Sequence, residues 1–362
     1  MIVVAGLSGD DSFTQEPPVA VEPLYSFLYN CVTGYKAFCA LKAALEIGLF
    51  DHLETSLSAE ELSRRLGLDL GIIRNLCKLL ETLGFLRERN ALYQNSEVTS
   101  FYLRSCSAIP HESVFKTLLN TFRLWERLPE ILRSGPVSIQ EETFFGEDHI
   151  HALAAEALCG ELQRTIRIVA ELPEFWQATK LLDLGGGHGM YAIAFAKLNP
   201  KLQVYVYDLP GVVEKTKAYI EKHKAKVSVV AGNFFSDDLG KGYDLVFFAY
   251  NPGGKNPALV PKIHASLNQN GLFVSKHCFY AKNEGSRNAV LDLEWSLTAF
   301  VGIKKANRVY SFADDLSFED YLVLLSEYFS IEKIVEADAF AGHPLGKIGD
   351  ALDSKIVIAK KK

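Results

Sequence analysis

The sequence contains no apolar run near the roughly 18 to 20 residues that a membrane-crossing helix requires, which excludes a helical membrane protein. It also lacks any Cys-x-x-Cys pair. The cysteines Cys31, Cys39, Cys77, Cys106, Cys159 and Cys278 are scattered without ligand-like spacing, so neither a zinc ribbon nor a disulfide framework is expected, and they read as free thiols in a reducing compartment. Cationic excess is missing too: 38 Lys and Arg face 44 Asp and Glu, for a formal net charge of −6. A protein that coats nucleic acid needs clustered cations, so no such partner is expected. The short apolar run Ile2 to Leu7 has no positive flank and is followed by Asp10 and Asp11, which makes a poor signal peptide. These absences together predict a cytoplasmic protein without membrane or nucleic-acid partners.

What is present is globular material for more than one domain. Hydrophobic residues make up 48% and charged residues 23% of 362 positions, and at roughly 100–200 residues per domain this length suggests two or three. Residues 1–20, with Pro17-Pro18, read as a mobile leader. From Val21 to about Leu53, Leu24, Phe27, Leu28, Ala37, Leu41, Ala44 and Leu45 fall at helical spacing. Ser58 opens a capping box, S-A-E-E, for a short helix that Gly67 stops, and a second helix runs from about Asp69 to Leu83 before Gly84. Phe85 to Glu88, a turn at Arg89-Asn90 and Leu92-Tyr93 then form a ribbon, so residues 21–108 read as a winged helix. Residues 109–172 are mostly helical and read as a bridge that lines a pocket. In residues 173–362 short apolar strands alternate with helices, the mark of βαβ units and a parallel sheet. Seven strands are predicted, at 180–184, 202–207, 227–231, 243–249, 271–276, 331–336 and 354–359.

The most informative stretch is Leu181-Leu182-Asp183-Leu184-Gly185-Gly186-Gly187-His188-Gly189, a strand that runs into a glycine cluster and opens a helix at Met190. The dinucleotide fingerprint G-x-G-x-x-G needs a third glycine where Met190 stands, which argues against a dehydrogenase. The pattern D-x-G-G-G-x-G instead suits the loop that cradles the amino-acid half of S-adenosylmethionine. The second strand ends at Asp208, 25 residues after Asp183, where a carboxylate can accept from both ribose hydroxyls. The third ends Ala231-Gly232-Asn233-Phe234, a polar side chain and an aromatic suited to an adenine ring.

With these residues the chain resembles the small-molecule O-methyltransferase family that includes plant caffeate, bacterial polyketide and acetylserotonin methyltransferases. The resemblance covers roughly residues 24–360. Its matching stretches are A-L-K-A-A-L-E-I-G-L-F-D-H-L (40–53), D-L-G-G-G-H-G, Y-D-L-P-G-V-V (207–213), G-N-F-F (232–235) and Y-D-L-V (243–246). It implies an α/β Rossmann-like class I methyltransferase domain with a seven-stranded, mostly parallel sheet. An all-α winged-helix dimerisation domain would precede it and make a homodimer. The resemblance further implies S-adenosylmethionine as cofactor and a small-molecule methyl acceptor. Gly185 and Gly187 would then approach the methionine moiety, Asp208 and Leu209 hold the ribose, and Asn233 and Phe234 the adenine, with Asp183, Ala249 and Tyr250 completing the cofactor site. Family members usually carry aspartate at the Asn233 position.

The resemblance fails where catalysis should lie. Family members carry a lysine after the fourth strand and then a His-Asp pair whose histidine deprotonates the acceptor; here Ala249 takes the lysine position and Gly253 the histidine position. The sequence leaves His277, after the fifth strand, as the replacement base, with Asn251 to Asn256 expected to be a flexible turn. His149, Trp125, Asp292 and Trp295 are candidates for the acceptor pocket, with Phe144 and Phe145 as further aromatic walls. No metal site is expected. A winged front module also leaves open a cofactor-responsive DNA-binding regulator, although its second helix offers only Arg74 and Lys78 as cations. A relative that uses the cofactor non-catalytically is the remaining alternative.

Overall fold

The computed structural model describes residues 16–140, 148–251, 253–341 and 354–362. Most of the expected leader, and Phe144 and Phe145, lie outside the described residues. The chain divides into two compact units, 1–112 and 113–362. The boundary falls close to the predicted end at 108, but the segment read as a bridge belongs from residue 113 onward to the second unit.

In the first unit the helix Glu22–Glu46 buries only Leu41 and Ala44. Ser58 caps the helix Ala59–Leu66: its hydroxyl accepts from the Glu61 N–H at 3.2 Å while the Glu61 carboxylate accepts from the Ser58 N–H at 2.9 Å. Asp69 caps the helix Leu70–Thr82 through the Ile72 N–H at 2.8 Å. Strands β2 (Leu86–Arg89) and β3 (Leu92–Asn95) form the wing, turning through Asn90 and Ala91 at φ 53° and 60°. A third short strand, β1 (Leu57–Ser58), pairs with β3. The domain is therefore not all-α, and two residues were too few for a period-2 pattern to reveal this strand. Phe50, Leu53, Leu62, Ile73, Cys77, Leu80 and Leu86 fill its core.

The second unit carries β4 (Val137–Ile139) and then the main sheet. Its strands are β5 (Lys180–Leu184), β6 (Gln203–Asp208), β7 (Val227–Ala231), β8 (Tyr243–Ala249), β9 (Leu267–Cys278), β11 (Phe329–Glu336) and β12 (Ser354–Lys361). The order is β11-β12-β9-β8-β5-β6-β7, with β12 antiparallel to both neighbours and the other pairs parallel. Alternate residues face opposite sides. Leu181, Phe247 and Val274 pack on one face with Ile166, Val169 and Phe195 from the helices Glu161–Ala170 and Met190–Leu198. Leu182, Phe248 and Phe273 pack on the other with Leu259, Ile263, Tyr321 and Leu325. The chain leaves β5 toward β6 and β7, then returns to β8 on the other side of β5. That reversal opens a crevice at the carboxyl ends of β5 and β8, the usual ligand position of such sheets. A separate strand, β10 (Thr298–Phe300), pairs in parallel with β4.

The amino-terminal half of the helix Glu22–Glu46 exposes Leu24, Tyr25, Phe27, Leu28, Tyr29, Val32 and Tyr35, with Tyr29 70% exposed. So much clustered apolar surface is costly in water and marks an interface. Light scattering is expected to give a two-fold dimer, and Leu24→Glu with Leu28→Glu to give a monomer. A wild-type monomer at micromolar concentration contradicts this.

Candidate active site

The crevice is shaped by the glycine loop between β5 and the helix Met190–Leu198. Gly185 and Gly187 hold φ of 62° and 53°, backbone that a side chain would strain. A Cβ on Gly185 would collide with the Asn251 side chain, whereas one on Gly187 would meet nothing within 4 Å. The loop is thus closed on one flank by Asn251 and open above Gly187. It is pinned from the next strand: Asp208 accepts from the Gly187 N–H at 2.8 Å and from the Leu209 N–H at 2.7 Å. Thr216 donates to the Gly187 carbonyl at 2.5 Å. Asn251 and Thr216 carry no pattern that marked them in the sequence.

Asp183 lies under this loop. It is 1% exposed and accepts from the Ala192 N–H at 3.2 Å, and a Cβ on Gly186 would stand 2.7 Å from its carboxylate. Burial pushes its pKa up to about 8; the Ala192 N–H opposes this, and the Asp208 charge adds to it. This geometry gives Asp183 a place as loop support, with no open face toward a ligand. His188 accepts from the Met190 N–H through Nδ1 at 3.0 Å, and burial lowers its pKa to about 4. Its imidazole is therefore neutral at physiological pH, with the proton on Nε2.

At the end of β7, Asn233 Oδ1 accepts from the Phe235 N–H at 2.9 Å. The acceptor assigned from sequence to an adenine amine is engaged in its own turn. Phe234 packs edge-on against Phe248 at 5.7 Å and beside Gly253, so most of its ring belongs to the core. Leu209 is half-buried next to Asp208, and Ala249 is half-buried at the end of β8. Tyr250, at φ 47°, donates its N–H to the Lys276 carbonyl at 2.9 Å.

The segment after β8 corrects one expectation. Residues Gly253, Gly254 and Lys255 are buried, so the expected flexible turn is a packed one. A Cβ on Gly253 would stand 2.6 Å from Leu259 Cδ1 and 2.7 Å from Phe234, and one on Gly254 would run into the His277 ring. Lys255 fastens the segment: its Nζ reaches the Cys278 carbonyl at 3.0 Å, the Tyr310 carbonyl at 2.6 Å and the Asp315 carboxylate at 3.0 Å.

His277 is 2% exposed and lies edge-on to Phe248 at 5.1 Å and Phe279 at 6.0 Å. Burial, with Lys255 and Lys276 nearby, holds its pKa well below the usual histidine range. It shares the Phe248 face of the sheet, opposite the face of Asp183. In this structure the imidazole is buried against Gly254, on the side of the sheet away from Asp183. The sequence placed it correctly at the strand end but could not tell which face it occupied.

Of the acceptor-pocket candidates, the structure brings three together. Trp125 Nε1 donates to Glu294 Oε2 at 2.7 Å, joining the helix Glu112–Glu126 to the helix Ala289–Ser296, which carries Asp292 and Trp295. Asp292 accepts from the Val309 N–H at 2.8 Å, and Trp295 packs edge-on to Tyr310 and Phe312. His149 sits on another helix, Asp148–Ala157, where burial lowers its pKa to about 4.

The Asp183 carboxyl provides a stability test. Its folded pKa of about 8 lies above the unfolded value near 3.9, so between these pH values the folded state binds the extra proton and its stability falls as pH rises. Chemical denaturation of wild type and Asp183→Asn from pH 4 to 8 is expected to show the wild type losing ground steadily to the variant. A difference that does not change with pH contradicts the assignment.

Comparison with known proteins agrees with this architecture. The O-methyltransferase domain model matches residues 147–251, and the O-methyltransferase dimerisation domain model matches residues 29–105. An uncharacterized protein of Methanocaldococcus jannaschii is 35% identical over 336 residues, 91% of this chain and 90% of that protein. Acetylserotonin O-methyltransferase of Gallus gallus is 29% identical over 242 residues, 60% of this chain and 68% of the relative. The structure of human N-acetylserotonin methyltransferase in complex with SAM superposes with a TM-score of 0.65 at 19% identity, covering 96% of this chain and 99% of the other. The chain belongs to the O-methyltransferase family that pairs an amino-terminal dimerisation domain with a class I S-adenosylmethionine-dependent methyltransferase domain.

Proposed function

We propose that this protein methylates a small planar acceptor whose nucleophile ionises without help from a histidine on the enzyme. The observation that carries this reading is the packing of Gly253 and Gly254, which leaves no room for a side chain at either position. The residues present suit the cofactor. Asp208 stands at the tip of β6 beside the loop, where a carboxylate can accept from ribose hydroxyls, and the loop opens above Gly187. Leu209, Ala249 and Tyr250 flank the same strand ends, and Asn233 retains its amide for the base. Bound there, S-adenosylmethionine supplies an electrophilic methyl group on a sulfonium.

The protein's own contribution is alignment. Trp125 and Trp295, on helices joined by the Trp125–Glu294 hydrogen bond, offer flat surfaces for a planar acceptor, in keeping with a relative whose name gives acetylserotonin. Holding two reactants in line supplies much of the acceleration of such a displacement. A phenol of pKa about 10 forgoes the roughly 10²–10⁴-fold that a base adds. An acidic phenol, enol, thiol or activated carbon does not need it. The regulator reading loses support because Arg74 and Lys78 are already paired with Glu60 and Glu81.

Transfer of labelled methyl to two acceptors of different pKa, followed across pH, tests the proposal. The inflection of the rate is expected to move with the acceptor's own ionisation. One inflection shared by both acceptors, in the histidine range, contradicts it.

A further inference from the structure

Lys276 is fully buried, at 0% exposure, and a buried ammonium is tolerated only with its charge paired and its donors used. Its Nζ pairs with the Glu161 carboxylate and reaches Thr165 Oγ1 at 3.0 Å and the Tyr191 hydroxyl at 2.8 Å. The rings of Tyr250 and Phe340 lie 4.6 and 4.8 Å away. Swapping such a pair for apolar residues often costs no stability, so stability alone is a weak reason for it.

Its position gives a better reason. Leu184 is level with Phe248 and Phe248 with Ser275, so Lys276 stands one step further, level with Gly185. Lys276 also shares the sheet face of Asp183 and Phe247. Tyr191, which it contacts, lies in the first turn of the helix that the glycine loop opens. The pair is asymmetric: the Lys276 side chain is sealed, whereas that of Glu161 is 17% exposed. The carboxylate is the member of the pair that solvent reaches.

The amino-acid end of S-adenosylmethionine is a zwitterion. Loop N–H groups suit its carboxylate, which leaves an ammonium in need of an anion. Asp183 is sealed beneath Gly186, and Asp208, at the tip of the second strand, is assigned to the ribose. We propose that Glu161 accepts the α-ammonium of the cofactor and that Lys276 is its positioning residue, fixing the carboxylate in place. The proposal rests on the reading of the glycine loop as the cofactor site.

Calorimetry with two probes separates this role from a structural one. S-adenosylhomocysteine carries the amino-acid end, and 5′-methylthioadenosine lacks it. Glu161→Gln is expected to weaken S-adenosylhomocysteine about tenfold or more, because a charge-assisted bond is lost, and to leave methylthioadenosine unchanged. The double variant Glu161→Gln with Lys276→Met, which leaves no unpaired buried charge, is expected to show the same selective loss. An equal fall for both probes, or no fall for S-adenosylhomocysteine, overturns the proposal. A wild-type protein that binds neither probe overturns the cofactor reading itself, a result distinct from the other two.

Discussion

One carboxylate holds the crevice in shape. Asp208 places one oxygen on the Gly187 N–H and the other on the Leu209 N–H, so the glycine loop cannot move independently of the second strand. The positive φ at Gly185 and Gly187, the closure by Asn251 and the support from Asp183 all depend on the loop staying at that height. Each bond in which an ionised oxygen meets a backbone N–H is stronger than its neutral counterpart. The strand reversal at β5 puts this fixed point where the sheet opens.

Around the point the charges are arranged by depth. Asp183 is sealed below the loop, Asp208 is at its edge, and the Lys276–Glu161 pair lies on the same face one strand beyond β8. On the opposite face His277 is pressed between Phe248, Phe279 and Gly254. Lys255, tied to two carbonyls and Asp315, holds the glycines down on it. The segment after β8 is thus a packed floor. On the function proposed above, the chemical burden falls on the acceptor and on its alignment.

Much of this was legible in the sequence. The seven strands of the main sheet read from short apolar runs between helices, and the mostly parallel character of the sheet followed from the alternation of strands with helices. Local signals also gave the capping box at Ser58 and the stop at Gly67, because a cap needs only a few adjacent residues. The site was legible as far as its backbone: Gly185, Gly187 and Asp208 were identifiable because loop geometry and strand end restrict residue type. Lys276 and Glu161 were not, since they are 115 residues apart and meet only through the fold. The surroundings of His277 were hidden for a related reason. Its place at a strand end was visible, but its face depends on register, and one step along a strand reverses the side chain.

The account's central claim is that the loop fixed by Asp208 is where the cofactor sits. A crystal structure of the protein soaked with S-adenosylhomocysteine tests it most directly. The account predicts density over Gly187, with the ribose hydroxyls within about 3 Å of the Asp208 carboxylate and the acceptor side bounded by the floor at Gly253 and Gly254. Density elsewhere, or a ribose turned away from Asp208, would contradict it.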